Sequence, residues 1–158
     1  MPISKDEFRQ SLSRFASGVT VVTTRDADGC PRGMTVSAFC SLSLEPPLVL
    51  ICIDKTAESH PAFSQSGVFA VNVLADNQEF LSRQFSTAVE DRFAGIAYHA
   101  GLDGVPVLDG ALANLQCRLV HSYDGGDHTI FVGQIEATTV REGNPLLYFR
   151  GRYRQLAE

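Results

Sequence analysis

Residues 125–133 read Gly-Gly-Asp-His-Thr-Ile-Phe-Val-Gly, and this stretch joins a tight turn to an apolar strand. The two glycines tolerate positive φ, and the short side chain of Asp127 suits a turn because it can hydrogen-bond the local backbone. The β-branched and aromatic residues that follow are typical of a buried strand. The pattern predicts that the imidazole of His128 is fixed at the rim of a sheet, where a ligand could contact it.

The segments on either side of this turn predict a mainly β protein. Runs rich in Val, Ile, Thr and Phe are separated by short turn signals. We expect six or seven strands, mostly linked as hairpins into an antiparallel barrel or sandwich, in one domain spanning residues 1–158. The predicted strands are 19–24, 33–43, 48–53, 68–74, 111–123, 128–140 and 145–149.

Three short helices are predicted between these strands. Residues 4–7, Ser-Lys-Asp-Glu, form a capping box, after which Phe8, Leu12 and Phe15 recur at helical spacing until Gly18. This apolar stripe is more typical of core packing than of a cofactor site. The other two predicted helices are 60–66 and 77–85.

Composition and charge exclude several classes of protein. The 158 residues are 44% hydrophobic and carry a formal charge of −5, which argues against binding to nucleic acid. No apolar run approaches the roughly 20 residues that span a bilayer, so we expect no membrane partner. The polar N-terminus lacks a secretory pattern, so we expect a cytoplasmic protein with reduced, mostly structural cysteines.

Familiar catalytic motifs are absent from the sequence. It contains no Gly-x-Gly-x-x-Gly after a strand, no phosphate-binding lysine loop and no Gly-x-Ser-x-Gly elbow. No metal-ligand spacing links the four histidines, so no metal site is predicted. Because no motif presents a catalytic nucleophile, the sequence points to chemistry performed by a cofactor.

Two segments near the middle of the chain have side chains suited to a flat, phosphorylated cofactor. Residues 32–39 are strand-like, but Thr35 and Ser37 place small hydroxyl groups on one face, which would let a ring approach the backbone. Residues 54–60 pass from a buried strand into a helix whose first amides would attract a phosphate. The simpler alternatives are a half-exposed strand and a helix capped by Ser59.

Two further segments carry arginines. Arg83 ends a helix, and residues 147–154 interleave three arginines with aromatic side chains. Arginine pairs well with phosphate, and aromatic faces stack on bases. A solvated arginine and a basic terminal face are the alternatives.

Taken in order, these segments resemble the flavin reductase-like family of FMN-binding split barrels, which are the small reductase components of two-component flavin monooxygenases. The resemblance covers about residues 8–156. Each motif is weak alone, but their joint order and spacing are specific. The matching motifs are 17–24, 33–39, 41–50, 69–74, 126–128, 145–148 and 151–153.

The resemblance implies a six-stranded antiparallel split barrel and a homodimer with flavin, FMN or FAD, in a groove at the interface. It assigns the isoalloxazine ring to Thr35, Val36, Ser37 and Ala38, with Cys52, Ile53 and Asp54 beside it. It assigns the phosphate end to residues from Lys55 to Ser59, and makes Arg83 and Phe85 further flavin contacts. His128 would lie over the nicotinamide, and Arg152 with Tyr153 would hold the pyridine nucleotide.

The implied activity is that of an NAD(P)H:flavin oxidoreductase. A hydride would pass from nicotinamide C4 to flavin N5, and a partner monooxygenase would receive the reduced flavin. The sequence does not decide whether the reductant is NADH or NADPH, or whether the flavin is FMN or FAD. One alternative is a noncatalytic flavin carrier or sensor. Another is an oxidase of a small amine, as in pyridoxamine phosphate oxidases, but we find no separate basic cluster for its substrate.

Overall fold

The computed structural model describes residues 2–157, and most of its strands follow one another along the chain with short helices between some of them. The α-helices are α1 (Lys5–Leu12), α2 (His60–Ser66) and α3 (Glu79–Ser86), with 3-10 turns at Asp76–Gln78 and Leu102–Gly104. The strands are β1 (Ser17–Gly18), β2 (Thr20–Arg25), β3 (Pro31–Val36), β4 (Phe39–Ser43), β5 (Leu48–Asp54), β6 (Val68–Val73), β7 (Tyr98–Ala100), β8 (Pro106–Leu108), β9 (Ala113–Gly125), β10 (His128–Val140), β11 (Leu147–Phe149) and β12 (Arg152–Arg154). No helix in the described part of the chain is long and apolar enough to cross a membrane.

Seven strands form the main sheet, in the order β3-β2-β6-β9-β10-β5-β4, and every neighbouring pair is antiparallel. Its edge strands, β3 and β4, are joined only by Ser37 and Ala38. A link of this length spans at most about 11 Å between the strand ends. The sheet must therefore curl until its edges approach each other, which makes it a barrel with a split at residues 37–38.

The strand count differs from the expected six because the predicted strand 33–43 breaks at this split. The Ala38 carbonyl accepts a hydrogen bond of 3.0 Å from the Cys52 N–H, and the Phe39 N–H donates to the Ser37 carbonyl over 2.9 Å. The residues before the break pair with β2, and those after it pair with β5. Counted as one interrupted strand, β3 and β4 restore the six-stranded barrel.

Two smaller sheets flank the barrel. One has the order β1-β11-β12, and the other pairs β7 with β8. The prediction included β11 but not β12. The turn between β11 and β12 places Arg150 at φ 52° and Gly151 at φ 75°. Two successive positive φ values are typical of the tight hairpin turn that matches strand twist.

The core has two main clusters. One fills the barrel around Phe63, Phe69 and Phe131, each at most 1% exposed. The other lies between α3 and the sheet and includes Leu81 and Phe85.

Helix α1 takes no part in these clusters, so the prediction that its stripe packs in the core is wrong for this chain. Phe8, Leu12 and Phe15 are 55%, 53% and 80% exposed. The helix also ends at Leu12, before the predicted Gly18, because Ser17 and Gly18 pair with β11.

Candidate functional site

A cleft of about 1040 Å³ lies where α1, the split and the β9–β10 turn meet. Its volume matches the upper range of small-molecule sites. The apolar side chains of α1 and the side chain of His128 both line it. The residues that line it include Phe8, Leu12, Phe15, Ser37, Ala38, Leu50, Cys52, Asp127 and His128.

Strand β5 contributes alternate residues to this cleft. Its exposure alternates along the strand, so Leu50 and Cys52 line the cleft while Ile51 and Ile53, both fully buried, face the core. Burial, with a smaller contribution from Cys40, raises the pKa of the Cys52 thiol. The structure therefore presents Cys52 to a ligand as a small, uncharged side chain.

The split provides small side chains and backbone donors at the same place. Ser37 and Ala38 are exposed and line the cleft, whereas the preceding Val36 is 5% exposed and packs in the barrel core. Within residues 2–157, the N–H groups of Ser37 and Ala38 have no hydrogen-bond acceptor. A planar heterocycle with acceptor atoms on its edge would satisfy these groups, so the residues present fit a flavin ring.

His128 is the first residue of β10 and lies opposite Asp54, the last residue of β5. Its Nδ1 is 2.7 Å from Oδ1 of Asp127. Asp54 has a lowered pKa, chiefly because the Thr56 N–H donates to its carboxylate, with smaller electrostatic contributions from His128 and His60. The imidazole of His128 thus lines the cleft beside the Asp127 carboxylate and near enough to Asp54 to help lower its pKa.

Lys55 follows directly after β5 and contacts the turn that carries His128. Its N–H donates to the Asp127 carbonyl over 3.0 Å. Its Nζ donates to the Gly126 carbonyl over 2.5 Å and to the carboxylate of Asp124. Lys55, predicted as a phosphate contact, is bound to the turn in this structure.

Ser59 lies apart from the cleft. It is 6% exposed and lines a small groove of about 40 Å³ together with Arg32 and Arg92. Within the described residues its side chain makes no capping hydrogen bond to α2, so the alternative of a plain helix cap does not describe it.

A second group of predicted residues gathers around α3. The Thr35 hydroxyl donates to the Ser82 carbonyl over 2.7 Å, and the Ser82 hydroxyl is 2.7 Å from the Tyr153 hydroxyl. The guanidinium of Arg83 lies 4.9 Å from the centre of the Tyr153 ring. Its ion pair with Glu79, at 2.6 Å, raises the pKa of Arg83.

The remaining predicted residues divide between core and surface. Phe85 is fully buried, with its ring centre 4.9 Å from that of Phe93, while Arg152 is exposed on β12. The structure thus brings Ser37, Ala38, Cys52 and His128 into one cleft. It assembles Thr35, Arg83 and Tyr153 at α3.

Sequence reasoning missed two contributors to the cleft. The spacing of the apolar stripe of α1 predicts core packing, although a short, charged helix fits a surface position equally well. The sequence predicts Asp127 only as a turn residue, whereas its place directly before His128 allows its carboxylate to orient the ring. Within residues 2–157, no cluster of three or more His, Cys, Asp or Glu side chains could hold a metal ion.

Comparison with known proteins gives consistent matches along the chain. A family model described as flavin reductase like domain matches residues 12–157. The chain is 44% identical over 152 residues to HsaB, the reductase subunit of a flavin-dependent monooxygenase from Rhodococcus jostii, covering 96% of this chain and 77% of that protein. It is also 44% identical over 153 residues to the reductase component of 4-hydroxyphenylacetate 3-monooxygenase from Thermus thermophilus, covering 96% and 97%.

A solved structure has the same fold. The NADH:FAD oxidoreductase SgcE6 from Streptomyces globisporus C-1027, in complex with NAD and FAD fragments, superposes with a TM-score of 0.92 at 39% identity. The match covers 98% of this chain and 93% of that one.

Proposed function

Because the chain belongs to the flavin reductase-like family, we propose that it is an NAD(P)H:flavin oxidoreductase whose reduced flavin serves a partner monooxygenase. The named relatives are reductase components of such monooxygenases or an NADH:FAD oxidoreductase. The observation that carries the proposal in this chain is the cleft, which is lined by unpaired amides, small side chains and the imidazole of His128.

We propose that Ser37, Ala38 and Cys52 hold the flavin ring. The N–H groups of Ser37 and Ala38 would donate to acceptors on its edge, and the small side chains leave its face accessible. When bound, the flavin supplies the two-electron acceptor, taking at N5 the hydride that leaves nicotinamide C4. The protein contributes orientation, which in well-aligned pairs can lower a barrier by about 7–11 kcal/mol.

The partner of His128 determines what its ring can do. A carboxylate only accepts hydrogen bonds, so Nδ1 of His128 must carry the proton that it shares with Asp127. In the neutral imidazole this leaves Nε2 as an acceptor. Nε2 would therefore accept from the carboxamide N–H of the nicotinamide, and His128 would bind and orient the nucleotide without transferring a proton.

The group at α3 supports a role in holding the nucleotide phosphates. Arg83 supplies a cation over the aromatic face of Tyr153, and Arg152, the residue before Tyr153 on β12, supplies a second, exposed cation. Arg83 is held by Glu79 over 2.6 Å, which restricts the positions its guanidinium can take. These residues remain proposed contacts for flavin or nicotinamide nucleotide.

We also propose a homodimer in which a second copy covers α1. Phe8, Leu12 and Phe15 expose more than half of their surfaces while lining the cleft. A partner at this face would bury these side chains and close the cleft from water.

The activity is tested by measuring oxidation of NADH and NADPH with FMN and FAD in all four combinations. We expect at least one pair to show saturable oxidation, with one nucleotide consumed for each flavin reduced under anaerobic conditions. Flavin binding without nucleotide oxidation in any pair would identify a carrier and contradict the proposal.

A further inference from the structure

Lys55 joins the end of β5 to the turn that carries His128, and we propose that it positions this turn for nicotinamide binding. The inference deepens the proposed function and rests on it. It replaces the expectation that Lys55 binds the flavin phosphate. Lys55 is a positioning residue in this account because it acts through His128 without contacting the nicotinamide.

The contacts of Lys55 span both sides of the turn. Its Nζ binds the carboxylate of Asp124, which precedes the glycine pair, and the carbonyl of Gly126 within it. Its backbone N–H binds the carbonyl of Asp127, which follows the pair. A single residue thereby fixes the path of the chain into His128.

The turn needs this support because β9 becomes an edge strand as it approaches the turn. Strand β6 pairs with residues 113–118 of β9, and from Val120 onward β9 pairs with β10 alone in the part of the chain described. Gly125 and Gly126 then add backbone freedom, with Gly126 at φ 84°. On its other side β10 pairs with β5 as far as His128, so the weakly supported side of this tip is the end of β9, which Lys55 ties to the end of β5 through Asp124.

The charges at this position also favour a positioning role. The Lys55 ammonium donates to Asp124 and thereby lowers the pKa of that carboxylate. Two of the three N–H donors on Nζ are already used, and the carboxylate of Asp124 beside them would repel a phosphate. The side chains of Lys55 and Asp124 are 42% and 78% exposed, so their ion pair is solvent-screened and its loss should weaken, but not abolish, nucleotide binding.

Variants of Lys55 and of Asp124 distinguish a Lys55 that positions the turn from a Lys55 that binds the flavin phosphate. We expect Lys55→Met and Asp124→Asn each to raise KM for NAD(P)H about three- to tenfold, with kcat and the flavin dissociation constant changed less than about twofold. Lys55→Arg should retain most of the wild-type KM. Asp28→Asn, which removes a carboxylate from the exposed β2–β3 turn, is the matched control.

Hydrogen exchange of the flavin-free protein provides a readout that does not depend on activity. Amides of residues 124–128 should exchange faster in Lys55→Met and Asp124→Asn than in the wild type and Asp28→Asn. Unchanged exchange in both variants would overturn the proposal. So would weaker flavin binding in Lys55→Met with normal constants in Asp124→Asn, because that result assigns Lys55 to the phosphate. Wild-type protein that oxidises neither nucleotide would instead refute the proposed function, while the exchange comparison would still test the turn.

Discussion

At the scale of single residues, the pair Asp127–His128 determines how this protein would recognise a nicotinamide. A proton on Nδ1, donated to the Asp127 carboxylate over 2.7 Å, would leave Nε2 of a neutral ring as an acceptor. The ring is held by its position at the start of β10 and by the Asp127 side chain. His128 would then serve to bind and orient the nicotinamide. It need not donate a proton, because hydride transfer requires no acid from the protein.

Replacing His128 tests this role. We expect His128→Ala to raise KM for NAD(P)H about tenfold and to lower kcat by less, because the lost hydrogen bond serves binding and orientation. Asp127→Asn should have a smaller effect in the same direction, since an amide no longer fixes the tautomer. Steady-state kinetics at saturating flavin measures both constants. A large fall in kcat at unchanged KM would show that His128 acts in the chemical step.

The position of His128 was predictable, but the contacts that hold it were only partly so. The glycine pair and the apolar run place the histidine at a strand start from local sequence alone. Lys55 meets Asp124 across a separation of 69 residues, and that contact exists only because β5 and β10 are neighbours in the barrel. Local patterns suggested an anion site at Lys55 because they do not contain the opposing carboxylate.

At the scale of elements, strand β10 depends on a glycine where it crosses the core. A Cβ added at Gly133 would lie 2.4 Å from the Phe69 ring and 2.7 Å from the Cβ of Cys117. The register between β10 and β9 also shifts between Val132 and Gly133. This bulge bends the long hairpin at the point where Phe69 needs the space.

A methyl group at this position should therefore destabilise the barrel. We expect Gly133→Ala to lower the free energy of unfolding by about 1–3 kcal/mol, measured by urea denaturation. Gly18→Ala is the control, because a Cβ there meets no atom within 4 Å among the described residues. Equal stability of the two variants would contradict the tight packing at Gly133.

Sequence patterns predict the bounds of some helices and strands but not the break between β3 and β4. The predicted bounds 60–66 and 128–140 coincide with α2 and β10. Gly67 marks the end of α2, and the glycine turn marks the start of β10. The break between β3 and β4 has no such mark, because the alternation of residues 33–43 continues through it. It arises from barrel closure, which pairs the two halves with different strands.

At the scale of the whole molecule, a buried amide ties the 87–109 segment to the barrel. Asn72 on β6 is fully buried and donates to the Val21 carbonyl over 2.9 Å. Its Oδ1 accepts from the Leu108 N–H over 3.0 Å and from the Asn114 side chain over 2.8 Å. The network joins strands β2, β6, β8 and β9.

Removing this amide should loosen the whole fold. Asn72→Ala leaves buried donors and acceptors unpaired, so we expect the free energy of unfolding to fall by about 2–4 kcal/mol. Asn77→Ala, at an exposed position, should change it little. Urea denaturation of both variants gives the comparison, and a negligible effect at Asn72 would show that the network contributes little to stability.

The exposed stripe of α1 leads to a prediction about assembly. The wild type should sediment as a dimer, and Leu12→Lys with Phe15→Lys should shift it toward monomer, because each charge would be buried at the interface. The double variant should also bind flavin more weakly, because loss of the dimer uncovers the cleft. A monomeric wild type would contradict this assembly. The sequence alone could not distinguish burial within the chain from burial by a second copy, since the apolar pattern is the same.

The most direct test of the account is flavin reduction in a single turnover. When protein carrying FMN or FAD is mixed anaerobically with excess NADH or NADPH, the visible flavin absorbance should bleach at a rate that saturates with nucleotide. Ser37→Trp, which fills the cleft, should slow this bleaching about a hundredfold. Ser64→Trp, at an exposed position of α2, should bleach like the wild type. Absorbance that persists in the wild type, or bleaching of Ser37→Trp at the wild-type rate, would contradict hydride transfer in this cleft.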